Sequence, residues 1–275
     1  MDVILLGTGS PIPDPRRAGP ATLVRAGGAT ILFDCGRGVV MRLAGAGVLP
    51  QTLSAIVITH MHSDHICDLN DVITSHWVMS PIPQPLAIYG PPGTEALVKA
   101  TLAMLSPDIG YRLAHHADLN EGPEVVVTEL APGDTTQIGA CELAAYRTEH
   151  APVRPTLGYR VTCGTAIAAV AGDTVPCAGL DALCKGAGVY VQTVVRDDLV
   201  RRVPSRRFQD ILDYHSTVEQ AGTTAQKAGV KILLLTHYVP PMQAGDEDSW
   251  RALAAAHFDG EIVLGDDLTK VSLPE

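Results

Sequence analysis

The chain has 275 residues, 46% of them hydrophobic and 4% aromatic, with a formal net charge of −10 at pH 7. No run of about 18 apolar residues occurs, which excludes a membrane-spanning helix. The six cysteines at 35, 67, 141, 163, 177 and 184 lack Cys-x-x-Cys spacing, so they read as reduced, mostly buried thiols rather than zinc ligands or disulfides.

Met1-Asp2-Val3 is acidic rather than basic, and the apolar run behind it enters a Gly-Thr-Gly turn. The amino end therefore reads as part of the fold rather than a secretory leader, and the expected location is the cytoplasm. Strands are expected at residues 3–8, 21–26, 29–35 and 55–60. The Pro-rich stretch 10–20 reads equally as an ordinary crossing between strands or as a loop overhanging a site.

The informative run is Ile58-Thr59-His60-Met61-His62-Ser63-Asp64-His65. Three imidazoles and one carboxylate fall at the carboxyl end of a buried strand, where α/β sheets place active sites. In an extended segment His60 and His62 point the same way, while Asp64 and His65, one turn on, can face a second centre. Imidazole and carboxylate suit zinc, and also manganese or iron. Residues 66–77 follow with apolar positions on one helical face; Cys67 reads as a bystander and Asp68 as a helix-surface residue or a support behind the ligands.

A helix is expected at 92–105. A second set of strands follows at 124–130, 136–149, 157–171, 189–195 and 231–236, with helices at 180–186, 207–215, 218–228 and 249–257. Four residues cannot close two metal shells, and this second set supplies three more ligand types just after strands: His150, Asp173 in a Gly-Asp-Thr turn, and His237. Alone, Asp173 reads equally as a turn aspartate and His150 as a loop residue; beside the first cluster they become ligand candidates.

The sequence resembles the metallo-β-lactamase superfamily, and within it the ribonuclease Z-like branch. The likeness is carried by Leu6-Gly7-Thr8-Gly9-Ser10 with Arg17 and Gly19, Phe33-Asp34-Cys35-Gly36, Thr59 to His65, Tyr89-Gly90-Pro91, His150 with Leu157-Gly158-Tyr159, Gly172-Asp173-Thr174, Tyr214-His215-Ser216-Thr217 and Leu235-Thr236-His237. It implies an α/β fold, a four-layer αββα sandwich of two mixed β-sheets with outer helices, in one hydrolase domain over residues 1–275. It implies two divalent ions, zinc foremost with Mn2+ or Fe2+ as alternatives. One is held by His60, His62 and His150, the other by Asp64, His65 and His237, with Asp173 bridging. It also implies Asp64 as the group that orients or deprotonates the attacking water, and His215 as proton donor to the leaving group. The alternative for His215 is a structural residue ahead of a helix capped by Ser216 and Thr217.

For the substrate, the acidic charge and the low aromatic content argue against a polyanion. The long arm that branch members acting on transfer RNA insert between the third histidine and the bridging aspartate has no room in residues 151–172. The expected substrate is therefore a small ester, anionic or neutral, a cyclic-nucleotide-like phosphodiester or a sulfate ester first. A lactone, β-lactam or carboxylic ester is the alternative, and an RNA 3′-processing nuclease or a non-catalytic binding descendant comes behind these. No tight binding of precursor transfer RNA and no membrane partner are expected, and a homodimer is left open. The basic cluster Arg196, Arg201, Arg202, Arg206 and Arg207 reads as a solvated run neutralised by Asp197 and Asp198, with its facing toward the site left open. Trp77, Tyr159, Tyr214 and Tyr238 are the expected pocket walls.

Overall fold

The structure, a computed structural model, describes all of residues 1–275. In chain order the strands are β1 (Asp2–Gly7), β2 (Ala21–Ala26), β3 (Ala29–Phe33), β4 (Ala55–Val57), β5 (Leu86–Gly90), β6 (Val125–Glu129), β7 (Thr135–Ile138), β8 (Cys141–Arg147), β9 (Leu157–Cys163), β10 (Ala166–Val170), β11 (Val189–Val195), β12 (Ile232–Val239), β13 (Glu261–Leu264) and β14 (Lys270–Ser272). The helices are α1 (Val39–Gly45), α2 (Ser63–Ile66), α3 (Leu69–Met79), α4 (Thr94–His115), α5 (Ala178–Cys184), α6 (Asp197–Val200), α7 (Arg206–Gln209), α8 (Val218–Ala228) and α9 (Glu247–Ala255). They form two mixed seven-stranded sheets, ordered β14-β1-β2-β3-β4-β5-β6 and β13-β12-β11-β10-β9-β8-β7.

Period-two alternation explains the layering, because the strands are apolar on both faces. In β1, Val3 and Leu5 enter the central cluster shared by the two sheets, while Ile4 and Leu6 enter a second cluster under α1, α3 and α4. In β12, Leu234 joins the centre, while Leu233 and Leu235 join a third cluster under α5, α8 and α9. Three apolar interfaces separate four layers, giving the αββα sandwich.

Several boundaries differ from expectation. Residues 136–149 and 157–171 are each two antiparallel strands around a tight turn rather than one long strand. The run 124–130 belongs to the first sheet, not the second. Its strand β6 pairs in parallel with β5, a strand missed behind the Pro-rich 81–85 stretch, and α4 makes the long crossover that parallel pairing requires. The expected 207–215 helix shrinks to α7 and a 3₁₀ turn over Asp210–Asp213. The carbonyl of Ile211, which a continuing helix would give to the amide of residue 215, instead accepts the His215 ring Nδ1–H at 2.9 Å. Helix α8 spans the expected residues, held by a capping box in which Thr217 and Gln220 exchange side-chain to backbone bonds.

The Gly-Thr-Gly turn is a close backbone approach. A Cβ at Gly7 would lie 1.8 Å from the carbonyl oxygen of Gly19, and one at Gly9 2.7 Å from that of Ala18. Gly7→Ala is expected to cost about 3 kcal/mol or more, because backbone rather than a yielding side chain must move. Gly28→Ala, in open space at φ +77°, is expected to cost about 1–2 kcal/mol from its backbone alone. Thermal melting of the two variants would check the ordering.

Candidate metal centre and active site

The site lies where strand ends of both sheets meet. The turn after β4 delivers His60 and His62, and α2 delivers Asp64 and His65, both buried. Loops after β8 and β10 deliver His150 and Asp173. His237 arrives differently: it lies inside β12, which runs on to Val239 instead of ending at residue 236. The register steps from Thr193↔Thr236 to Val195↔Val239, so two residues of β12 oppose one of β11. This bulge, with His237 at φ +53°, turns the imidazole into the site.

At the centre is one oxygen. Asp173 Oδ2 lies 3.2 Å from His215 Nε2, 3.4 Å from His65 Nε2, 3.7 Å from His150 and His237 Nε2 and 3.8 Å from His60 Nε2. Asp64 Oδ2 is 3.2 Å from His237 Nε2 and 3.7 Å from His65 Nε2. The donor atoms fall into two compact groups, His60, His62, His150 and Asp173 in one, and Asp64, His65 and His237 in the other. Asp173 also groups with His215 and His237, so His215 adjoins both sets.

Hydrogen bonding fixes which way the lone pairs face. The Thr59 hydroxyl donates to Asp34 Oδ2 at 2.8 Å and so accepts from His60 Nδ1–H at 3.0 Å. His150 Nδ1–H donates to the Tyr214 carbonyl at 2.7 Å, and His65 Nδ1–H to Asp34 Oδ2 at 2.8 Å. Each of these rings therefore spends its hydrogen outward and turns the Nε2 lone pair inward. His62 Nδ1 lies 3.1 Å from His60 Nε2 and 3.0 Å from His150 Nε2. Nitrogens around a tetrahedral zinc sit about 3.3 Å apart, given bonds of about 2.0–2.1 Å, so this face is of metal-binding dimensions. In the other group His65 Nε2 and His237 Nδ1 are buried without any hydrogen-bond partner, as is Asp173 Oδ1. The residues present fit a pair of cations.

The protonation pattern agrees. Burial pushes His60 far below the usual imidazole range and His150 down to about 4, and it lowers His62 as well, so this face is neutral. For His65 and His237 burial also opposes charge, but Asp173, with Asp34 beside the first and Asp64 beside the second, raises both. Asp173, although burial resists its ionisation, is held well below the carboxylate range by His237 and His65. The carboxylates thus demand positive charge on the His65–His237 side.

The residue that sequence reasoning left out of the site is Asp34. It follows β3 at φ +60°, and its two oxygens accept from the Thr59 amide at 2.8 Å, the Thr59 hydroxyl and His65 Nδ1–H. It thereby orients His60 through Thr59 and His65 directly. A short aspartate immediately after a buried strand, in register with the histidine loop of the neighbouring strand, was the available signal. Asp68 caps the turn before α1 by accepting from the Gly38 amide at 2.5 Å. Cys67 is exposed, Cys177 half-buried and the other four cysteines buried, all free thiols.

A cavity of about 490 Å³ opens in front of the cluster, lined by His62, Asp64, Asp173, His215 and His237 at its floor. Ser10, Pro11 and Ile12 also line it, and Arg207 reaches it while Arg196 and Arg201 are tied to Asp198 and Asp197. Of the four expected aromatic walls only Tyr214 lines it. Tyr159 and Tyr238 are buried with their hydroxyls on the carbonyls of Ile58 and Leu235, and the Trp77 indole donates to the Glu121 carbonyl; large aromatic surface went to the core.

The sequence pattern of the beta-lactamase superfamily domain matches residues 29–238. Ribonuclease Z of Mycobacterium avium is 56% identical over 99% of this chain and 98% of its own length, and ribonuclease Z of Mycobacterium bovis is 50% identical over the same shares. Among solved structures, the short form of human tRNase Z superposes with a TM-score of 0.73 at 25% identity, covering 100% of both chains. A metallo-β-lactamase fold protein of Bacillus subtilis gives 0.74 at 21% identity, covering 98% of both.

These relatives overturn the expected small-ester substrate and the expected exclusion of nucleic acid, including precursor transfer RNA. A short loop and the β9–β10 hairpin do take up residues 151–172, so the arm is absent as expected. Yet relatives matched nearly end to end to this compact chain carry the name of an RNA-cutting enzyme. The argument from charge failed because net charge describes the whole surface, whereas cleavage depends on the potential at one cavity. Asp34→Ala is expected to weaken divalent-metal affinity by about 10–100-fold, through release of His65 and Thr59, with little change in secondary structure. Calorimetric metal titration beside far-ultraviolet circular dichroism would check both.

Proposed function

We propose, from the premise that this chain belongs to the ribonuclease Z family of the metallo-β-lactamase superfamily and is a metal-dependent hydrolase, that it cuts a phosphodiester at the 3′ end of transfer-RNA precursors. The observation that carries the reading is the end-to-end identity of 50–56% with proteins named ribonuclease Z. The whole of residues 1–275 is taken as one hydrolase domain, on the ground that β14 completes the first sheet beside β1 and the central cluster runs from Met1 to Val271. Six free thiols and the lack of any helix long and apolar enough to cross a membrane support a cytoplasmic setting.

In this reading His60, His62 and His150 hold one cation, Asp64, His65 and His237 hold the other, and Asp173 lies between them. Zinc is the leading ion for such an imidazole-rich set, with manganese or iron as alternatives. Two such cations, when bound, activate water near neutral pH and offset charge on the phosphoryl oxygens. The chain's own residues do the rest. Asp64, at the cavity floor and bonded to His237, orients the attacking water and takes its proton. His215 is anchored by Nδ1–H on the Ile211 carbonyl, and Ser216 beside it donates to the Thr174 carbonyl at 2.7 Å. His215 Nε2, 3.2 Å from Asp173 Oδ2, then sits at the cavity floor. As the phosphorus–oxygen bond breaks, His215 hands the Nε2 proton to the leaving ribose oxygen.

The test is incubation of metal-loaded protein with a precursor transfer RNA bearing a 3′ trailer at about 0.15 M salt. Discrete cleavage at the 3′ end is expected, and an intact precursor would sink the reading. Metal analysis should give close to two ions per chain, and His62→Ala or Asp173→Ala should lose metal and cleavage together. His215→Ala is expected to keep its metal while turnover falls by about 10²–10⁴-fold; loss of metal in that variant would assign His215 to the ligand set instead.

A further inference from the structure

Residues 196–214, which give the cavity wall Ser205, Arg207, Phe208, Ile211 and Tyr214, contain five arginines, and they are not equivalent. Arg196 forks onto Asp198 at 2.7 and 2.8 Å and lies over the Trp250 ring. Arg201 pairs with Asp197 and Arg206 with Asp210. Arg202 is exposed and does not line the cavity. Arg207 makes no ion pair and is the one Arg or Lys side chain among the lining residues. Beside it Phe208, half-buried, packs with Ile12 and Ile211 onto Val195, Val200 and Val239.

The turn carrying this pair is braced. Gln209 Nε2 donates to the carbonyls of Arg201 at 3.2 Å and Val203 at 2.8 Å, and Ser205 Oγ accepts from the Phe208 amide at 3.4 Å. A guanidinium with no acid partner next to an aromatic ring, both presented to a cavity whose floor is the reaction centre, matches a sugar–phosphate and the flat face of a base. We propose that residues 205–208 form the subsite for the nucleotide adjoining the scissile phosphodiester: Arg207 pairs with its backbone phosphate and the Phe208 ring stacks on its base. This rests on the RNA-cleaving reading above. Neither contact reaches a base edge, so the subsite accepts any base. It also gives an acidic chain one local cation where the RNA backbone must enter. Arg207 and Phe208 are positioning residues; neither exchanges a proton with substrate.

The test compares metal-loaded wild type with Arg207→Gln, Arg207→Lys and Phe208→Leu on precursor transfer RNA across a salt series, with melting temperature and metal content measured in parallel. Arg207→Gln should raise KM about tenfold with a small effect on kcat, and flatten the slope of log kcat/KM against log salt by about 0.7–1. Arg207→Lys should restore the slope. Phe208→Leu should raise KM about five- to tenfold. A second arm scans the nucleotides on either side of the cut. An abasic ribose at one of them should erase the Phe208→Leu penalty, and a neutral methylphosphonate linkage there should erase that of Arg207→Gln. Wild-type cleavage with variant KM values within about twofold of it, or penalties that persist on every abasic and methylphosphonate substrate, would overturn the subsite. Failure of wild type to cleave the precursor would instead overturn the function on which it rests.

Discussion

The structure is organised around a single buried carboxylate oxygen. Asp173 Oδ2 has five imidazole nitrogens within 3.2–3.8 Å, drawn from the turn after β4, from α2, from the loop after β8, from the β12 bulge and from the segment before α8. Taking an ionised carboxylate and its neighbours out of water costs several kcal/mol per charge unless they are compensated. Four of the imidazoles have a ring hydrogen fixed outward, by Thr59, Asp34 and the Tyr214 and Ile211 carbonyls, and His65 Nε2, His237 Nδ1 and Asp173 Oδ1 are left without a partner, so protein hydrogen bonds alone do not satisfy the centre. The two sheets converge on a place that a pair of cations completes, and the apolar layers around it are the means of holding seven side chains at that convergence.

That convergence explains why the site was far more legible than its surroundings. Ligand-type residues at strand ends can be found from local pattern alone, and the His60–His65 run announces itself. His237 shows the limit. Its identity and place were readable, but the bulge that aims it depends on how β12 pairs with β11, a relation no local pattern contains. Asp34 was missed for the same reason, because its role exists only through Thr59 and His65 on the neighbouring strand and turn. In the fold, long apolar strands such as β11 and helices with strong caps such as α8 were plain. β5 hid behind prolines, and without it β6 fell into the wrong sheet, since the sheet of a strand is fixed by its partners and not by its own residues.

The substrate was where global properties misled. A net charge of −10 predicts weak non-specific attraction to RNA, and that prediction concerns the mean surface. It says nothing about a cavity in which Arg196 and Arg201 are spent on acids of their own segment while Arg207 is not. Likewise aromatic scarcity counted residues rather than places. Tyr159, Tyr238 and Trp77 are consumed by packing and backbone hydrogen bonds, while Phe208, overlooked in the sequence, stands at the cavity wall.

The cavity rim is built from parts that lie far apart in the chain. Ser10, Pro11 and Ile12 come from the crossing between β1 and β2, held on one side by Arg17, whose guanidinium donates to Thr8 at 2.6 Å and to Asp266 at 2.7 Å. The opposite rim comes from the segment between β11 and α8, stapled by Gln209 and ending in His215. Ile12 and Phe208 meet over the Val195–Val200–Val239 cluster, so the two rims share one small apolar support separate from the three large layers. Access to the cavity floor is therefore set by a patch that can vary without disturbing the sandwich or the site residues, which is how the same geometry at the floor can serve different substrates at the mouth.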